Sequence, residues 1–374
     1  MAPKSLRFHW RMLIGGEDCT LTRSAMNASA QTGLPDLDRQ ISFCRIAEQS
    51  GIDSLLTDFG FSKPDPILLS CALGMATSGI KFIVAYRSGL LCPTVFVQQL
   101  NTLSALINGR FSLNIVAGHS PQEQQFYGDY LSHDERYART DEFLSICRSL
   151  WRQETPVSFK GKYYSVDDAV LTSAFVSSDR SSPEIFVGGS SPAARNLAIN
   201  HATCWMLIGD APEKLRDKIR PALEVGTEVG LRLAIIARPT RGDAVRAAHS
   251  LIENLKSGLA DKQNEREYIQ ASDSVSMKAV YGEPSEWLTS YLWTGAVRTI
   301  GSAAIALVGS PEDIASAIME YKEIGISQFI FSGWPKLEAM TYFAREIVPL
   351  VRQKEQLPHT DTFAKMRSAL LFDH

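Results

Sequence analysis

The chain has 374 residues, of which 45% are hydrophobic and 21% are charged, and its formal net charge is −3. This is ordinary globular composition, and the chain is long enough to bury a large core. The small negative balance gives no reason to expect nucleic acid or an anionic membrane as a partner, and no run approaches the roughly 18 apolar residues of a membrane span.

Short apolar runs alternate with stretches of helical period along the chain. The runs predicted as strands are 6–13, 54–57, 81–87, 111–117, 184–187, 203–208, 231–237 and 328–331. Eight strands separated by helices predict the α/β class, a TIM (β/α)8 barrel with insertion segments, in one domain over residues 1–374. An open doubly wound sheet is the alternative that periodicity alone does not exclude.

The helix boundaries carry recognisable signals. Asp36 can cap a helix that Gly51 ends, and Asn108-Gly109 ends another. Ser310, followed by Pro311 and two acidic residues, predicts a further helix start before the last strand.

Two segments break the alternation of strands and helices. Residues 159–168 (FKGKYYSVDD) predict a small hairpin outside the main pattern. The stretch from about 249 to 293 is too long for one helix, and its middle is polar. We expect it to be an inserted, mobile lid over part of the active-site mouth, with an oligomer contact as the alternative.

The cysteines and the first residues of the chain bear on the compartment. The segment MAPKSLRFHWRML carries charges through its apolar part and lacks the pattern of a signal peptide. No CxxC pair occurs among Cys19, Cys44, Cys71, Cys92, Cys147 and Cys204. Dispersed cysteines in a large chain are typical of small buried hydrophobes in a reducing compartment. We therefore expect a cytoplasmic protein without a metal site.

The clearest local signal is the run FVGGSSP at 186–192. A strand ends in Gly188 and Gly189, and Ser190, Ser191 and Pro192 open a helix. Glycines permit close backbone approach, and amides at a helix start together with hydroxyl groups suit a phosphate. The alternative is a simple strand-to-helix turn with one of the serines as the cap.

A second cluster lies at the end of the fourth predicted strand and directly after it, and consists of Asn114, Ala117, Gly118, His119 and Ser120. Residues at the carboxyl end of a barrel strand face the active site. His119 could there donate a proton or a hydrogen bond to a bound reactant, because the ordinary pKa of histidine lies near neutrality. The alternative is a loop histidine bonded to backbone.

The polar run SHDERYART at 132–140 opens a helix. Most of it is typical of a solvated helix start, with Asp134 and Glu135 at the favourable end. Arg136 and Tyr137 could instead reach a phosphate, since both donate hydrogen bonds to anions.

Several stretches form one ordered set: 98–123 (QQLNTLSALINGRFSLNIVAGHSPQE), 133–143 (HDERYARTDEF), 186–198 (FVGGSSPAARNLA), 292–295 (LWTG), 305–315 (IALVGSPEDIA) and 329–340 (FIFSGWPKLEAM). In this order they resemble the luciferase-like flavin-dependent monooxygenases, most strongly the bacterial alkanesulfonate monooxygenases. The resemblance runs from about residue 36 to residue 352. It implies a TIM barrel and a two-component system, in which a separate NAD(P)H-dependent flavin reductase supplies reduced FMN.

The resemblance also implies roles for single residues. It would place the FMN phosphate on Gly189, Ser190 and Ser191, with Tyr137 nearby. It would place the flavin ring beside Ala85, Asn114, Ala117 and His119. His119 resembles a histidine of the long-chain alkane branch. The catalytic candidates are His119, Arg232 and Trp334.

The substrate side departs from the alkanesulfonate pattern, although Arg232 is retained. Residues of a different kind stand at Lys63, Ile208, Ala234, Ile300 and Trp334, where that branch has a cysteine, a tryptophan, a histidine, an arginine and a tyrosine. The replacements predict a larger or less polar substrate than a simple alkanesulfonate. Lys63, Arg87 and Arg298 could meet an acid at the pocket edge, or could be solvated surface charges.

The leading hypothesis is a monooxygenase that uses reduced FMN and O2 to oxygenate a small organic molecule. The alternatives are a deazaflavin-dependent hydride-transfer enzyme of the same barrel family and a flavin-binding protein without catalysis. The resemblance to this family further implies a homodimer or a homotetramer.

Overall fold

The computed structural model describes residues 5–13, 35–61, 63–118, 120–154, 156–256, 278, 280, 282, 285–297 and 301–356. Its strands, in chain order, are β1 Arg7–Arg11, β2 Ser54–Thr57, β3 Lys81–Tyr86, β4 Phe111–Ile115, β5 Val157–Lys160, β6 Ser165–Ala169, β7 Ile185–Gly188, β8 Cys204–Ile208, β9 Glu228–Ala237, β10 Leu292–Trp293, β11 Ala306–Gly309 and β12 Ile326–Gly333.

Eight of these strands close into a barrel. The order around the ring is β1, β2, β3, β4, β7, β8, β9 and β12, and each strand pairs in parallel with its neighbours. Because β12 pairs with both β9 and β1, the ring has no open edge. The predicted TIM barrel is therefore confirmed, and the open doubly wound sheet is excluded.

Helices surround the barrel. They are α1 Leu37–Gln49, α2 Pro66–Met75, α3 Pro93–Leu106, α4 Pro121–Phe126, α5 His133–Trp151, α6 Pro192–His201, α7 Pro212–Glu224, α8 Arg241–Lys256, α9 Pro311–Glu323, α10 Lys336–Tyr342 and α11 Val348–Gln356. The predicted caps are confirmed. Asp36 accepts from the Arg39 amide at 3.2 Å, and Ser310 forms a capping box with Asp313.

Side chains of each barrel strand alternate between the helices and the interior. On β1, Phe8 and Trp10 point outward and pack against Phe343 with ring centroids 5.3 and 5.8 Å away. The interior contains a separate apolar group drawn from five strands: Leu56, Ile83, Ala85, Phe186, Cys204, Met206 and Ile330. The interior is thus a packed core whose upper layer supports the carboxyl ends of the strands.

Polar groups close the amino-terminal end of the barrel. Arg7 forms ion pairs with Glu184 and Glu228 at 2.9 and 2.7 Å. His9 lies directly above and shares a 3.0 Å hydrogen bond with the Gln328 amide oxygen. The sequence offers no obvious partner for His9, and this bond is formed only across the ring. Burial lowers the pKa of His9 to about 4, so the ring is neutral at pH 7.

The structure describes the predicted hairpin at 159–168 in full and the predicted lid at about 249–293 only in part. The hairpin is confirmed, since β5 and β6 form an antiparallel pair apart from the barrel. The predicted lid begins inside α8, because the helix continues to Lys256, and residues 285–297 include β10, which pairs antiparallel with β11. Most of the intervening stretch lies outside the described residues. Strand β11, which was not predicted from the sequence, extends the sheet beside the upper half of β9.

Cysteines in the described ranges are unpaired thiols. Cys44, Cys147 and Cys204 are buried, as expected for small hydrophobes, whereas Cys92 is exposed. No helix in the part of the chain that the structure describes has the length and hydropathy to cross a bilayer.

Candidate active site

The first element of the site is a layer of side chains at the carboxyl end of the barrel, called the mouth below. Ala85 on β3 pairs in register with Asn114 on β4, and Asn114 pairs with Phe186 on β7. Asn114 is buried, and its side-chain oxygen has no hydrogen-bond partner among the described residues. A buried acceptor without a partner is costly, so Asn114 is poised for a donor supplied by a ligand.

The second element is the turn between β7 and α6, residues 188–191. Gly189 has φ = +134°, and a Cβ built on it would lie 2.6 Å from the Tyr137 hydroxyl oxygen and 2.8 Å from the Ala194 Cβ. Only glycine fits this position. The turn is held from behind, since the Gly189 amide donates to the Met206 carbonyl at 3.2 Å and the Trp205 indole donates to the Gly189 carbonyl at 2.7 Å.

The two serines of this turn were predicted either to hold a phosphate or to cap the helix, and the geometry is compatible with both roles. Ser191 is the cap of α6, and its hydroxyl oxygen accepts from the Ala194 amide at 3.2 Å. A hydroxyl that accepts in this way can still donate its hydrogen to an anion. The turn therefore combines a helix amino terminus, two hydroxyl groups and a close backbone approach, which together fit a phosphate group.

The start of α5 connects these two elements. Arg136 is buried and donates to the carbonyls of Ala117, Gly118 and Leu131 at 3.0, 3.4 and 2.7 Å. These bonds hold the turn after β4 in place, and the contact of Arg136 with a phosphate stays a prediction. Tyr137, the next residue, lies against Gly189, as the resemblance implies. The preceding residues form a solvated capping box between Ser132 and Glu135, as expected.

A cluster of charges around Asp58, called the Asp58 cluster below, occupies the mouth between β1, β2 and β9. Asp58 follows β2 directly and forms an ion pair with Arg11. Lys63 Nζ lies 3.5 Å from one carboxylate oxygen of Asp58, and Arg232 Nη2 lies 3.4 Å from the other. Burial by itself raises the pKa of Asp58, but the three neighbouring cations outweigh it and hold this pKa well below its ordinary value.

Arg232 was predicted from the sequence as a site residue, whereas Asp58 was not. A carboxylate directly after a predicted barrel strand was the available signal, since that position faces the mouth. The interpretation of Lys63 and Arg87 as solvated surface charges is wrong. Only 25% and 6% of their side chains are exposed, and each forms an ion pair.

Arg87 directly follows β3, which is the neighbour of β2 in the barrel. It forms an ion pair with Glu123, and its guanidinium carbon lies 5.1 Å from the centre of the Phe59 ring and 5.6 Å from that of Tyr127. Its Nε and Nη1 atoms are buried and have no hydrogen-bond partner among the described residues. Arg87 is thus fixed by one carboxylate and two rings while two of its donors stay unsatisfied.

The opposite wall of the mouth is apolar. Ala234 on β9 is fully buried in a cluster with Trp293 and Ala306, and the half-buried Trp334, directly after β12, packs against this cluster. The predicted replacement of polar substrate contacts by apolar ones is consistent with this wall. His119, Arg298 and Ile300 lie outside the described residues.

The mouth gathers most of the predicted site residues, and the closed barrel with polar groups at the carboxyl ends of its strands is the arrangement of TIM-barrel enzymes. The model of the family "luciferase-like monooxygenase" matches residues 19–328. The chain belongs to this family.

Solved structures with the same fold include monooxygenases and a dehydrogenase. The EDTA monooxygenase from Chelativorans sp. BNC1 is 18% identical with a TM-score of 0.75, and the match covers 96% of each chain. The oxygenating constituent of 3,6-diketocamphane monooxygenase from Pseudomonas putida, in complex with FMN, is 19% identical with a TM-score of 0.61, and the match covers 93% of this chain and 99% of that one. An F420-dependent secondary alcohol dehydrogenase is 18% identical with a TM-score of 0.63, covering 93% and 100%. These likenesses show a shared fold.

Proposed function

We propose that the protein is an FMN-dependent monooxygenase that takes up reduced FMN and inserts one oxygen atom of O2 into an organic substrate. The observation that carries the proposal is the pairing of the 188–191 turn with the unsatisfied oxygen of Asn114. The first suits a phosphate, and the second suits a hydrogen-bond donor on a ring. Overall, reduced FMN, O2 and substrate are converted to FMN, oxygenated substrate and water.

Bound FMN would supply the reaction of reduced flavin with O2, and the protein's own residues would bind, orient and exclude water. The amino terminus of α6, with Ser190 and Ser191, would hold the phosphate. Ala85 and Ala117 leave room for a flat ring above the packed interior, and Asn114 would orient it. His119 is the proposed proton donor at the reacting oxygen.

A deazaflavin is the second cofactor to consider, because an F420-dependent dehydrogenase shares this fold. The alkanesulfonate-type motifs and the spacing around the 188–191 turn favour FMN over a deazaflavin. The chemistry differs, since a deazaflavin enzyme transfers hydride and consumes no O2.

The test is an anaerobic titration with reduced FMN, oxidised FMN and F420, followed by admission of air. We expect reduced FMN to bind tightest. Replacing Asn114 with leucine should weaken reduced FMN at least about tenfold, because a loss of about 1.4 kcal/mol of binding free energy is a factor of ten. The matched control is Asn200→Leu at an exposed position of α6.

The reoxidation step separates the remaining possibilities. After air is admitted, His119→Ala should change the rate at which the flavin spectrum returns to the oxidised form. Binding of F420 alone would favour the hydride-transfer enzyme. Binding of FMN without O2-dependent product from any substrate in a screen would favour a flavin-binding protein, and no binding of either cofactor would exclude the proposal.

We further propose that a separate NAD(P)H-dependent reductase supplies the reduced FMN and that the protein is a homo-oligomer. Helix α2 presents an apolar stripe to solvent, in which Leu68 is 72% exposed and Met75 is 65% exposed, with Ala72 between them. These spacings place the three side chains on one helix face, and an exposed apolar face is typical of a subunit contact.

Replacing Leu68 and Met75 together with glutamate is expected to convert an oligomer to a monomer, because charges placed in an apolar interface stay unpaired. Light scattering after size-exclusion chromatography measures the mass. Val225→Glu, at another exposed apolar side chain, is the control and should leave the mass unchanged. An unchanged mass in the double variant would assign the contact to another face.

A further inference from the structure

We propose that the substrate carries an anionic group, such as a carboxylate or a sulfonate, which Lys63 and Arg232 bind together in the mouth. The inference rests on the proposed function, because it assigns the substrate of that same site. It makes Lys63 a specificity-determining residue. Lys63 stands at a position where the sequence departs from the alkanesulfonate pattern.

The geometry of the Asp58 cluster carries the proposal. Lys63 and Arg232 approach different oxygens of one carboxylate, at 3.5 and 3.4 Å, and Arg11 also pairs with it, so three cations share a single negative charge. The Asp58 side chain is only 7% exposed, whereas those of Lys63 and Arg232 are 25% and 31% exposed. The carboxylate is thus covered, and parts of both cations remain open to a ligand.

The cluster lies beside the proposed flavin position. Thr57 pairs in register with Val84, so Asp58 continues β2 at the level of Ala85. Ala85 in turn pairs with Asn114. An anionic group on Lys63 and Arg232 would therefore hold the rest of the substrate at the level where the ring is expected.

Arg87 is a second, independent observation. Its side chain is 6% exposed, and its Nε and Nη1 atoms have no partner among the described residues. Two unsatisfied donors on a buried cation are costly unless a ligand completes them. Gly60 links the two cations, since a Cβ built on it would lie 3.2 Å from Lys63 Cε and 3.5 Å from Glu123 Oε1, and Glu123 pairs with Arg87. Lys63 and Arg87 therefore lie on the same side of the mouth.

The apolar wall around Trp334 limits the polarity of the part of the substrate that lies away from the anionic group. The half-buried Trp334 offers apolar surface on this side, and it packs on the fully buried Ala234 and Trp293. The complementary ligand is an organic acid with an apolar body.

The charge of Lys63 provides a pH signature. Burial lowers the pKa of Lys63 to about 8, assisted by Arg11 and Arg232 and opposed by Asp58 and Glu123. Lys63 is therefore charged below pH 8 and increasingly neutral above it. The affinity for an anion should be highest below about pH 8 and should fall as the pH rises further.

The experiment uses matched probes and the flavin-free protein. Phenylacetate, benzenesulfonate and the neutral phenylacetamide are titrated calorimetrically between pH 6.5 and pH 9.5. We expect the two anions to bind at least about tenfold more tightly than the amide at pH 7, since one favourable charge contact of about 1.4 kcal/mol is a factor of ten. Affinity for the anions should fall above about pH 8, in line with the titration of a lysine.

Variants assign the effect to Lys63. Lys63→Met should reduce anion affinity at least about tenfold and remove the pH dependence, because the titrating charge is gone. Lys63→Arg should retain the affinity and shift its decline to higher pH, because arginine keeps its charge. Lys81→Met, at an exposed lysine on β3, is the control and should change neither.

Other results would overturn the proposal. Equal binding of phenylacetate and phenylacetamide, or unchanged anion binding in Lys63→Met, would assign any anion affinity elsewhere, for example to the 188–191 turn. Titration of reduced FMN into the same preparations separates the two hypotheses. Normal FMN binding with no preference for anions would contradict the substrate proposal alone. Anion binding without FMN binding would contradict the cofactor proposal.

Discussion

Replacing Asp58 with asparagine is expected to lower the free energy of unfolding by about 3 kcal/mol at pH 7, because removing one partner of a buried ion pair leaves uncompensated charge. In this variant Arg11, Lys63 and Arg232 would remain side by side without their common carboxylate. Equilibrium unfolding in urea measures the change, which should greatly exceed that of any single surface charge.

The matched control is Asp217→Asn on α7. Asp217 pairs with Arg220 at 3.7 Å, and both side chains are largely exposed, so the control should cost less than about 0.5 kcal/mol. A cost below about 1 kcal/mol for Asp58→Asn would contradict a buried, tightly coupled cluster.

The same cluster predicts how stability depends on pH. The folded-state pKa of Asp58 lies well below its ordinary value, so its stabilising contribution is complete above the unfolded-state pKa of about 3.9. That contribution is lost as the pH falls through the folded-state pKa. The stability difference between the wild type and Asp58→Asn should therefore be constant from pH 5 to pH 7 and shrink in stronger acid.

Replacing Gly189 with alanine is expected to weaken the binding of reduced FMN at least about tenfold and to cost on the order of 2 kcal/mol of stability. The added Cβ would lie 2.6 Å from the Tyr137 hydroxyl and 2.8 Å from the Ala194 Cβ, at φ = +134°. The 188–191 turn would have to move away from Tyr137 and from the start of α6. Anaerobic fluorescence titration and urea unfolding measure the two effects.

Gly226→Ala separates backbone strain from damage to the site. Gly226 also has positive φ, at +83°, but a Cβ there meets nothing within 4 Å, and the residue lies in the turn before β9 at the other end of the barrel. This control should lose stability and keep its FMN affinity. If Gly189→Ala retains full affinity for reduced FMN, the phosphate is bound elsewhere.

The mouth contains two separate groups of residues that favour an anion, the Asp58 cluster and the 188–191 turn. The turn offers a helix amino terminus and hydroxyl groups, whereas the cluster offers lysine and arginine side chains around a covered carboxylate. A cofactor phosphate and an acidic substrate would thus be held apart by the Ala85–Asn114 layer, with the apolar wall around Trp334 closing the third side.

The sequence by itself determined the features that depend on near neighbours in the chain. Strand and helix periods predicted the barrel elements, the caps at Asp36 and Ser310 marked helix starts, and Gly189 with Ser191 indicated the turn before α6. These signals are local because a cap or a glycine turn is defined by hydrogen bonds and dihedral angles a few residues apart.

Only the tertiary structure decided which charged residues meet. Arg11, Asp58 and Arg232 come from the first, second and seventh strands of the barrel, far apart in sequence, and closure of the ring brings them within ion-pair distance. The same closure buries Lys63, pairs His9 with Gln328 and directs Arg136 to backbone carbonyls. Burial and charge pairing depend on the neighbours that folding brings together, so no pattern within one segment of sequence specifies them.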